Sequence, residues 1–303
     1  MTARELLTKR DTDYKGELQL FYNNALGIGF EDAKATMPME LLRARCAAGL
    51  VPGLQPGLHV LGADQGVYLL IARQLFPPTP ARELGTWGIV HCEYTPDAQA
   101  FSHAEEDESG QPQMIYGRIT TLMQEYDVRL ACLDAQPDLS NLRSLQRDCP
   151  TRVWGIHSSG QLKALFQASD SSEHAEWPMA TESTHSSFDR LFRAIREKEL
   201  IFHRLQLVGL PPYPEDASLL QVFTHINNLA KAKRTTESKL GQSVQPHFIY
   251  VPRGPVKTHP IHYATAATKL IHAIRLYLQG YGIGLTGIVP ISEAMLTFQQ
   301  REA

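Results

Sequence analysis

The sequence lacks an excess of basic residues. Its 29 lysines and arginines are outnumbered by 32 aspartates and glutamates, and the formal net charge is −3. A protein that binds nucleic acid over its whole surface is strongly basic. That class is therefore excluded, and any contact with nucleic acid must use local patches.

Cysteines are few, and long hydrophobic runs are absent. The sequence contains no C-x-x-C pair, so we predict free thiols in a reducing compartment in place of zinc or disulfides. No run reaches the roughly 18 apolar residues that a membrane span needs. The N-terminal residues also lack the apolar core of a signal peptide. We therefore expect a cytoplasmic protein with no membrane partner.

A nucleotide-binding loop is also missing. The pattern G-x-x-x-x-G-K-[ST] does not occur, so the chain is not expected to hydrolyse ATP alone. Residues 282–287 do match G-x-G-x-x-G. They follow a predicted helix, whereas the dinucleotide-binding motif follows a strand. We interpret residues 281–303 as a flexible tail.

The composition itself is that of a globular protein. Of 303 residues, 43% are hydrophobic and 20% are charged, which fits one large domain with appendages. Residues 1–57 contain too little apolar sequence for a core of their own, and we interpret them as an adapter or linker segment. Residues 58–280 are predicted to form the main domain.

Alternating strand and helix patterns define the predicted fold of this domain. The strand candidates are residues 58–64, 67–73, 86–94, 128–134 and 153–156, followed by short candidates at 199–202 and 248–251. Amphipathic helical patterns lie between the later strands, and the polar segment 158–187 is predicted to be a long loop. The pattern predicts an α/β fold with a mixed sheet of about five strands and flanking helices.

Two aspartates close predicted strands. Asp64 ends the first strand and Asp134 ends the fourth. If these strands are neighbours, the two carboxylates converge at one edge of the sheet and offer hard oxygen ligands to Mg²⁺ or Mn²⁺. Such a site can activate water for phosphodiester hydrolysis. The alternative is that each aspartate caps a turn or helix, because Asp favours turns on its own account.

The order of these elements resembles the RNase H-like nuclease core, and more specifically the C-terminal nuclease part of phage terminase large subunits. The supporting segments are Phe21–Gly27, Leu133–Pro137, Phe188-Asp189 and Pro260–Ala266. The resemblance spans roughly residues 18–280. It implies an RNase H-like fold and a divalent-metal-dependent endonuclease that cuts double-stranded DNA during genome packaging in the host cytoplasm. The ATPase half is missing, so a terminase ATPase, a small terminase subunit and a portal are the implied partners.

The resemblance also implies a set of metal ligands, from which this sequence departs at one position. Asp64 and Asp134 match the first two. The family's final helix usually begins Pro-Asp-His and its aspartate is the third ligand, but the matching residue here is Ile261. His262 or His259 is the candidate substitute, because related resolvase-type nucleases use a histidine near this place. Imidazole shifts the preference toward Mn²⁺. The alternative is a helix-start cluster without a ligand role.

Two further features each have two interpretations. A basic set is predicted to hold the DNA backbone without reading its sequence, or it is simply a solvated surface. The residues of this set are Lys231, Lys233, Arg234, Lys239, Arg253 and Lys257. Glu93, on the third predicted strand, is either another metal ligand or the partner of solvent or an arginine.

The sequence is also compatible with two other functions. Ile261 favours a non-catalytic DNA-binding or assembly protein that kept the nuclease fold. An RNase H-like resolvase or transposase is the other alternative, and it would prefer DNA junctions or transposon ends.

Overall fold

The computed structural model of the chain describes most residues between 36 and 281. The described ranges are 36–64, 68–95, 105–106, 112–113, 116–136, 139–159, 166–168, 177–205, 214–234, 247–255 and 257–281. Residues 1–35, with the segment 21–27 that supported the resemblance, lie outside them. So do Lys239 and residues 282–303, which make up nearly all of the predicted tail.

Helices and strands alternate along the described chain. The helices are α1 (Met39–Arg43), α2 (Tyr116–Glu125), α3 (Leu139–Asp148), α4 (Thr184–Arg196), α5 (Pro214–Asn227) and α6 (His262–Leu278). The strands are β1 (Cys46–Ala47), β2 (His59–Asp64), β3 (Tyr68–Phe76), β4 (Thr86–Tyr94), β5 (Glu105–Glu106), β6 (Pro112–Gln113), β7 (Val128–Asp134), β8 (Val153–Ser159), β9 (Phe166–Ala168), β10 (Met179–Ser183), β11 (Leu200–His203), β12 (Leu229–Arg234) and β13 (His247–Pro252).

One mixed sheet organises the fold. Nine of the described strands form it in the order β1-β11-β4-β3-β2-β7-β8-β10-β9. Strands β2, β7, β8 and β10 run parallel to one another, and β3 is antiparallel to β2 and β4. The predicted α/β fold with a mixed sheet is confirmed. In addition, β12 pairs with β13 in a separate two-stranded sheet.

The predicted number of about five strands was too low. Short strands extend the sheet at both ends, among them β10, which lies in the segment predicted to be a loop. Its sequence Met-Ala-Thr-Glu-Ser has no apolar run, so local pattern does not identify it as a strand, and its pairing with β8 and β9 is seen only in the structure. Propensity is a weak guide for such a strand.

Part of the predicted adapter packs with the main domain. Strand β1 pairs with β11 at one end of the sheet, and Met37 and Leu42 are fully buried in the core. Residues 36–57 therefore share the core of the sheet, which supplies the apolar surface that this segment lacks.

Each face of the sheet has its own apolar core. Helices α4, α5 and α6 cover the face that includes Val60 and Leu130, whereas α2 and α3 cover the face that includes Leu61 and Leu133. Alternate residues of a strand share a face. The ends of β2 and β7, at even-numbered positions, are therefore on the α6 face.

Gly62 determines how closely α6 approaches the sheet. A Cβ atom at Gly62 would lie 2.3 Å from the backbone nitrogen of Leu270 and 2.5 Å from the carbonyl oxygen of Ala266. Both atoms belong to the backbone of α6, so neither can move aside without moving the helix. The absence of a side chain at Gly62 lets α6 lie directly on β2, and this contact places His262 beside the end of that strand.

We expect Gly62→Ala to lower the free energy of unfolding by about 1–3 kcal/mol or more, because the added methyl group overpacks the contact with α6. Gly49→Ala is the matched control, since nothing lies within 4 Å of the position its Cβ would take. That variant should stay within about 0.5 kcal/mol of the wild type in urea unfolding. Equal stability of the two variants would contradict the close helix–strand contact.

Candidate functional site

Asp64 and Asp134 meet at one edge of the sheet. Their preceding residues, Ala63 and Leu133, are paired across the parallel strands β2 and β7, so the two carboxylates end neighbouring strands about 4.8 Å apart. Asp64 is nearly fully buried. Burial raises the pKa of the Asp134 carboxyl, Asp64 adds to the increase, and Lys269 opposes it. The two aspartates therefore converge at one edge of the sheet, as predicted from the sequence, and little water reaches the buried Asp64.

His262 joins this pair from α6. Its Nδ1 atom lies 2.8 Å from Oδ2 of Asp64, and its ring stacks on Tyr68 with 4.8 Å between centroids and 8° between planes. Tyr68 is the strand partner of Asp64, so β3 and α6 together fix the imidazole. The hydrogen bond to Asp64 raises the pKa of His262, and burial opposes the increase.

Ile261 and His259 precede this contact along the chain. Ile261 is the N-cap residue of α6 with no side-chain capping bond, and it packs against the core. The described contacts of His259 lie in the preceding connection, where Nδ1 is 2.9 Å from Thr258 Oγ1 and the ring packs on Gly254. Of the two histidines, His262 is the one with a described contact to a carboxylate of the site.

A third carboxylate, which the sequence analysis did not single out, lies on the same face. Glu182 of β10 is the strand partner of Ser158, whose Oγ donates to its Oε1 over 2.6 Å. Lys269 contacts Oε1, and His272 Nε2 lies 2.6 Å from Oε2. Burial alone would raise the pKa of Glu182, but Lys269 and His272 hold it far below its usual value. Glu182 is thus a charged, compensated group.

The signal for this group was present in the sequence of α6. Lys269 and His272 interrupt the otherwise apolar positions of the helix, and both are buried, with Lys269 at 0% exposure. A lysine is almost never fully buried unless it is paired. That rule predicts an acidic partner for Lys269, although it does not identify Glu182.

Ser187, His272 and Glu182 resemble a nucleophile triad in composition but not in geometry. Both contacts of the imidazole use Nε2, at 3.1 Å from Ser187 Oγ and 2.6 Å from Glu182 Oε2. A catalytic triad uses one ring nitrogen for each partner. The three side chains are also buried, so this cluster is structural and does not favour a serine hydrolase.

Glu93 is separated from the aspartates by the sheet. Its strand partner Leu69 belongs to the core on the α2 face, and Arg118 of α2 donates to its two carboxylate oxygens at 2.8 Å and 2.6 Å. Burial would raise the pKa of Glu93, but Arg118 and His91 hold it far below its usual value. The alternative that Glu93 pairs with an arginine is confirmed.

The basic residues are distributed around the hairpin of β12 and β13. Lys231 is the strand partner of Tyr250, and Lys233 is the strand partner of Phe248. Lys231 Nζ is 2.7 Å from Asp189 Oδ1. At least one member of the basic set, Lys231, is therefore paired with a carboxylate.

The hairpin borders the edge that holds the carboxylates. Tyr250 N donates to His185 Nδ1 at the start of α4, over 3.1 Å, and α4 begins directly after β10 and Glu182. Arg253 and the exposed Lys257 lie in the connection from β13 to α6. Basic side chains and the paired aspartates thus lie at the same end of the sheet.

The donor set suits a hard divalent cation. Mg²⁺ is commonly held by one or two carboxylates, with waters and substrate phosphates completing its shell, and Asp64 and Asp134 supply two carboxylates. The described residues contain no group of three or more His, Cys, Asp or Glu side chains arranged for a metal. None of the described helices is long and apolar enough to cross a membrane.

Comparison with known proteins finds similarity at the level of structure. No protein-family model matches the sequence, and no curated protein matches it. Two solved structures are similar, namely the large terminase nuclease from thermophilic phage G20c and the same nuclease with bound magnesium. Both are 9% identical to this chain and match 77% of it, with 95% and 94% of the other chain covered and TM-scores of 0.35 and 0.34. The resemblance to terminase nucleases is confirmed as a structural similarity.

From the contact between His262 and Asp64 we predict how the pKa of His262 changes when Asp64 is replaced. In Asp64→Asn, the pKa of His262 should fall toward its ordinary value of 6.5, because the charge that favours the imidazolium is removed. NMR titration of the imidazole protons measures this change. His59 is the internal control, since burial and then Arg73 lower its pKa, and it should stay low in both proteins.

The same contact should affect stability with a definite sign. Because the folded pKa of His262 is raised, its contribution is fully present below pH 6.5 and is lost as the pH rises through the higher folded value. If the NMR titration finds the same pKa for His262 in Asp64→Asn and in the wild type, the hydrogen bond to Asp64 does not raise that pKa.

Proposed function

We propose that the chain is a divalent-metal-dependent DNA endonuclease of the phage terminase large-subunit type, which cuts double-stranded DNA during genome packaging. The observation that carries the nuclease proposal is the pair of Asp64 and Asp134 at neighbouring strand ends, with His262 bonded to Asp64. The order of the sequence motifs supports the terminase type. The RNase H-like assignment of the sheet is part of the same proposal.

Asp64 and Asp134 would hold the cation through their carboxylate oxygens. A bound Mg²⁺ or Mn²⁺ supplies an activated water and stabilises the charge that develops on the phosphodiester. The imidazole of His262 donates from Nδ1 to Asp64 and so fixes which oxygens of that carboxylate face the site. We leave His259 out of this proposal because its described contacts lie within the preceding connection.

Double-stranded DNA would lie against the hairpin of β12 and β13 and the connection into α6. The exposed Lys257 is the better candidate for a phosphate contact than Lys231, since Lys231 already pairs with Asp189, and Lys233, Arg234, Lys239 and Arg253 belong to the same proposed set. Such contacts position a duplex without reading its sequence. We also propose that the chain works with a terminase ATPase, either a separate protein or another part of the same longer polypeptide, and with a small terminase subunit and a portal, in the host cytoplasm.

Removing either aspartate should abolish metal-dependent cleavage. We expect Asp64→Asn and Asp134→Asn each to reduce the rate of plasmid cleavage in Mn²⁺ or Mg²⁺ by at least about 100-fold, since the cation supplies several kcal/mol of transition-state stabilisation. Asp148→Asn is the matched control, because Asp148 is exposed at the end of α3. Cleavage that persists in both site variants would overturn the site assignment.

A non-catalytic DNA-binding or assembly protein is the second candidate function. Two observations favour it. Ile261 occupies the place of the family's third acidic ligand, and the described residues contain no group of three metal-binding side chains. Such a protein would bind DNA through the same basic set without hydrolysing it.

Ile261→Asp distinguishes the two candidates. An aspartate at the N-cap of α6 also caps the helix, which offsets part of the lost apolar packing. If the site is otherwise intact, this variant should cleave plasmid DNA faster than the wild type, or should cleave it where the wild type does not. Cleavage by neither protein, with duplex binding retained in a salt titration, would establish the second candidate. A preference for four-way junctions would favour a resolvase.

A further inference from the structure

Tyr94 is an exposed aromatic side chain at the edge of the sheet that holds the aspartates. It ends β4 and is 40% exposed. The other large hydrophobic side chains that the described residues expose are Leu54, Phe76 and Leu220. Phe76 also ends a strand, but it lies at the opposite edge of the sheet, because β3 runs antiparallel to β2. Of these four, Tyr94 is therefore the one that ends a strand beside the aspartates.

The register of the sheet places Tyr94 in one row with Asp64. Tyr68 of β3 is the strand partner of Asp64 on β2 and of Tyr94 on β4. Residues directly opposite each other in a sheet share a face, and Tyr68 packs against the core on the α6 face. Because neighbouring strands are about 4.8 Å apart, Tyr94 lies about 10 Å from Asp64 along this row.

A stack of rings connects Tyr94 to the site. The ring centroids of Tyr94 and Tyr68 are 4.7 Å apart, with 26° between the planes. Tyr68 stacks in turn on His262, which bonds to Asp64. The fully buried Tyr263 meets the ring of Tyr68 at 79° and 5.0 Å. Tyr68 is thus held by rings from two helical residues and supports the ring of Tyr94. A ring already held in place loses little conformational freedom when a ligand stacks on it.

The exposed part of Tyr94 suits a nucleobase. Its described ring contact is with Tyr68, and 40% of the residue stays accessible. An aromatic side chain stacks on any base, because every base has a π-face. In an intact duplex the faces of a base are covered by its neighbours, so a protein ring reaches them only where the base has left the stack. The ring therefore fits an unpaired base and not a paired one.

We propose that Tyr94 is a stacking platform, a ring on which an unpaired base of the cut strand lies flat, and that the substrate is duplex DNA opened near the scissile phosphate. This inference rests on the proposed nuclease function and names the form of DNA that the site takes. At about 3.4 Å for each base step of a strand, the base belongs to a nucleotide within about three positions of the phosphate at Asp64 and Asp134. Tyr94 binds the substrate in this scheme and does not contact the reacting atoms.

Two matched DNA probes test the proposal. Both are duplexes with a short mismatched bubble, and in the second probe the bubble nucleotides are abasic. Binding is measured by fluorescence anisotropy in EDTA, where no metal-dependent cleavage takes place. The wild type should bind the bubble that carries bases about 5- to 150-fold more tightly than the abasic one, which is the range expected for one base stacked on an aromatic ring.

Tyr94→Leu removes the aromatic face but keeps an apolar side chain over Tyr68. We expect this variant to bind the bubble with bases about 5- to 150-fold more weakly than the wild type does, and to bind the abasic probe equally well. Tyr94→Phe keeps the ring and should behave as the wild type with both probes. Phe76→Leu is the matched control, because it removes an exposed ring at the opposite edge of the sheet, and it should leave both affinities unchanged.

The outcomes separate this inference from the proposed function. If a folded Tyr94→Leu binds the bubble as tightly as the wild type does, or loses equal affinity for both probes, the inference is overturned and the nuclease proposal stands. If Tyr94→Leu does not fold, a fluorescent base analogue in the bubble decides with the wild type. A fall in its fluorescence on binding supports stacking, and a rise overturns it. A wild type that binds neither probe, in EDTA or in Ca²⁺, would refute DNA binding itself and this inference with it.

Discussion

The close contact between α6 and β2 at Gly62 is the constraint on which the site depends. Because the backbone of α6 lies directly on this glycine, the first residue of the helix reaches Asp64, and Lys269 reaches Glu182 further along the same face. One helix thus supplies an imidazole to one strand end and an ammonium to another. A shift of about 1 Å in the helix would change both contacts, since a hydrogen bond weakens steeply beyond its normal range.

The parts of the site that the sequence predicts are those set by local pattern. Asp64 and Asp134 end strands with clear apolar runs, so their positions follow from the strand boundaries, and their convergence follows from the parallel pairing of β2 and β7. His262 was also among the candidates. Its contact with Asp64 joins residues 198 positions apart, which no local pattern contains. The structure was needed to show this contact, which His259 does not make among its described contacts.

Glu182 could not be assigned in the same way, because its strand has no local signature. The pairing of β10 with β8 places it, and the burial of its charge is possible only because Lys269 and His272 approach from α6. The same non-local pairing explains the strands missed at the ends of the sheet. Glu93 was assigned to the third predicted strand from the sequence, but only the structure shows that its partner is Arg118 of α2.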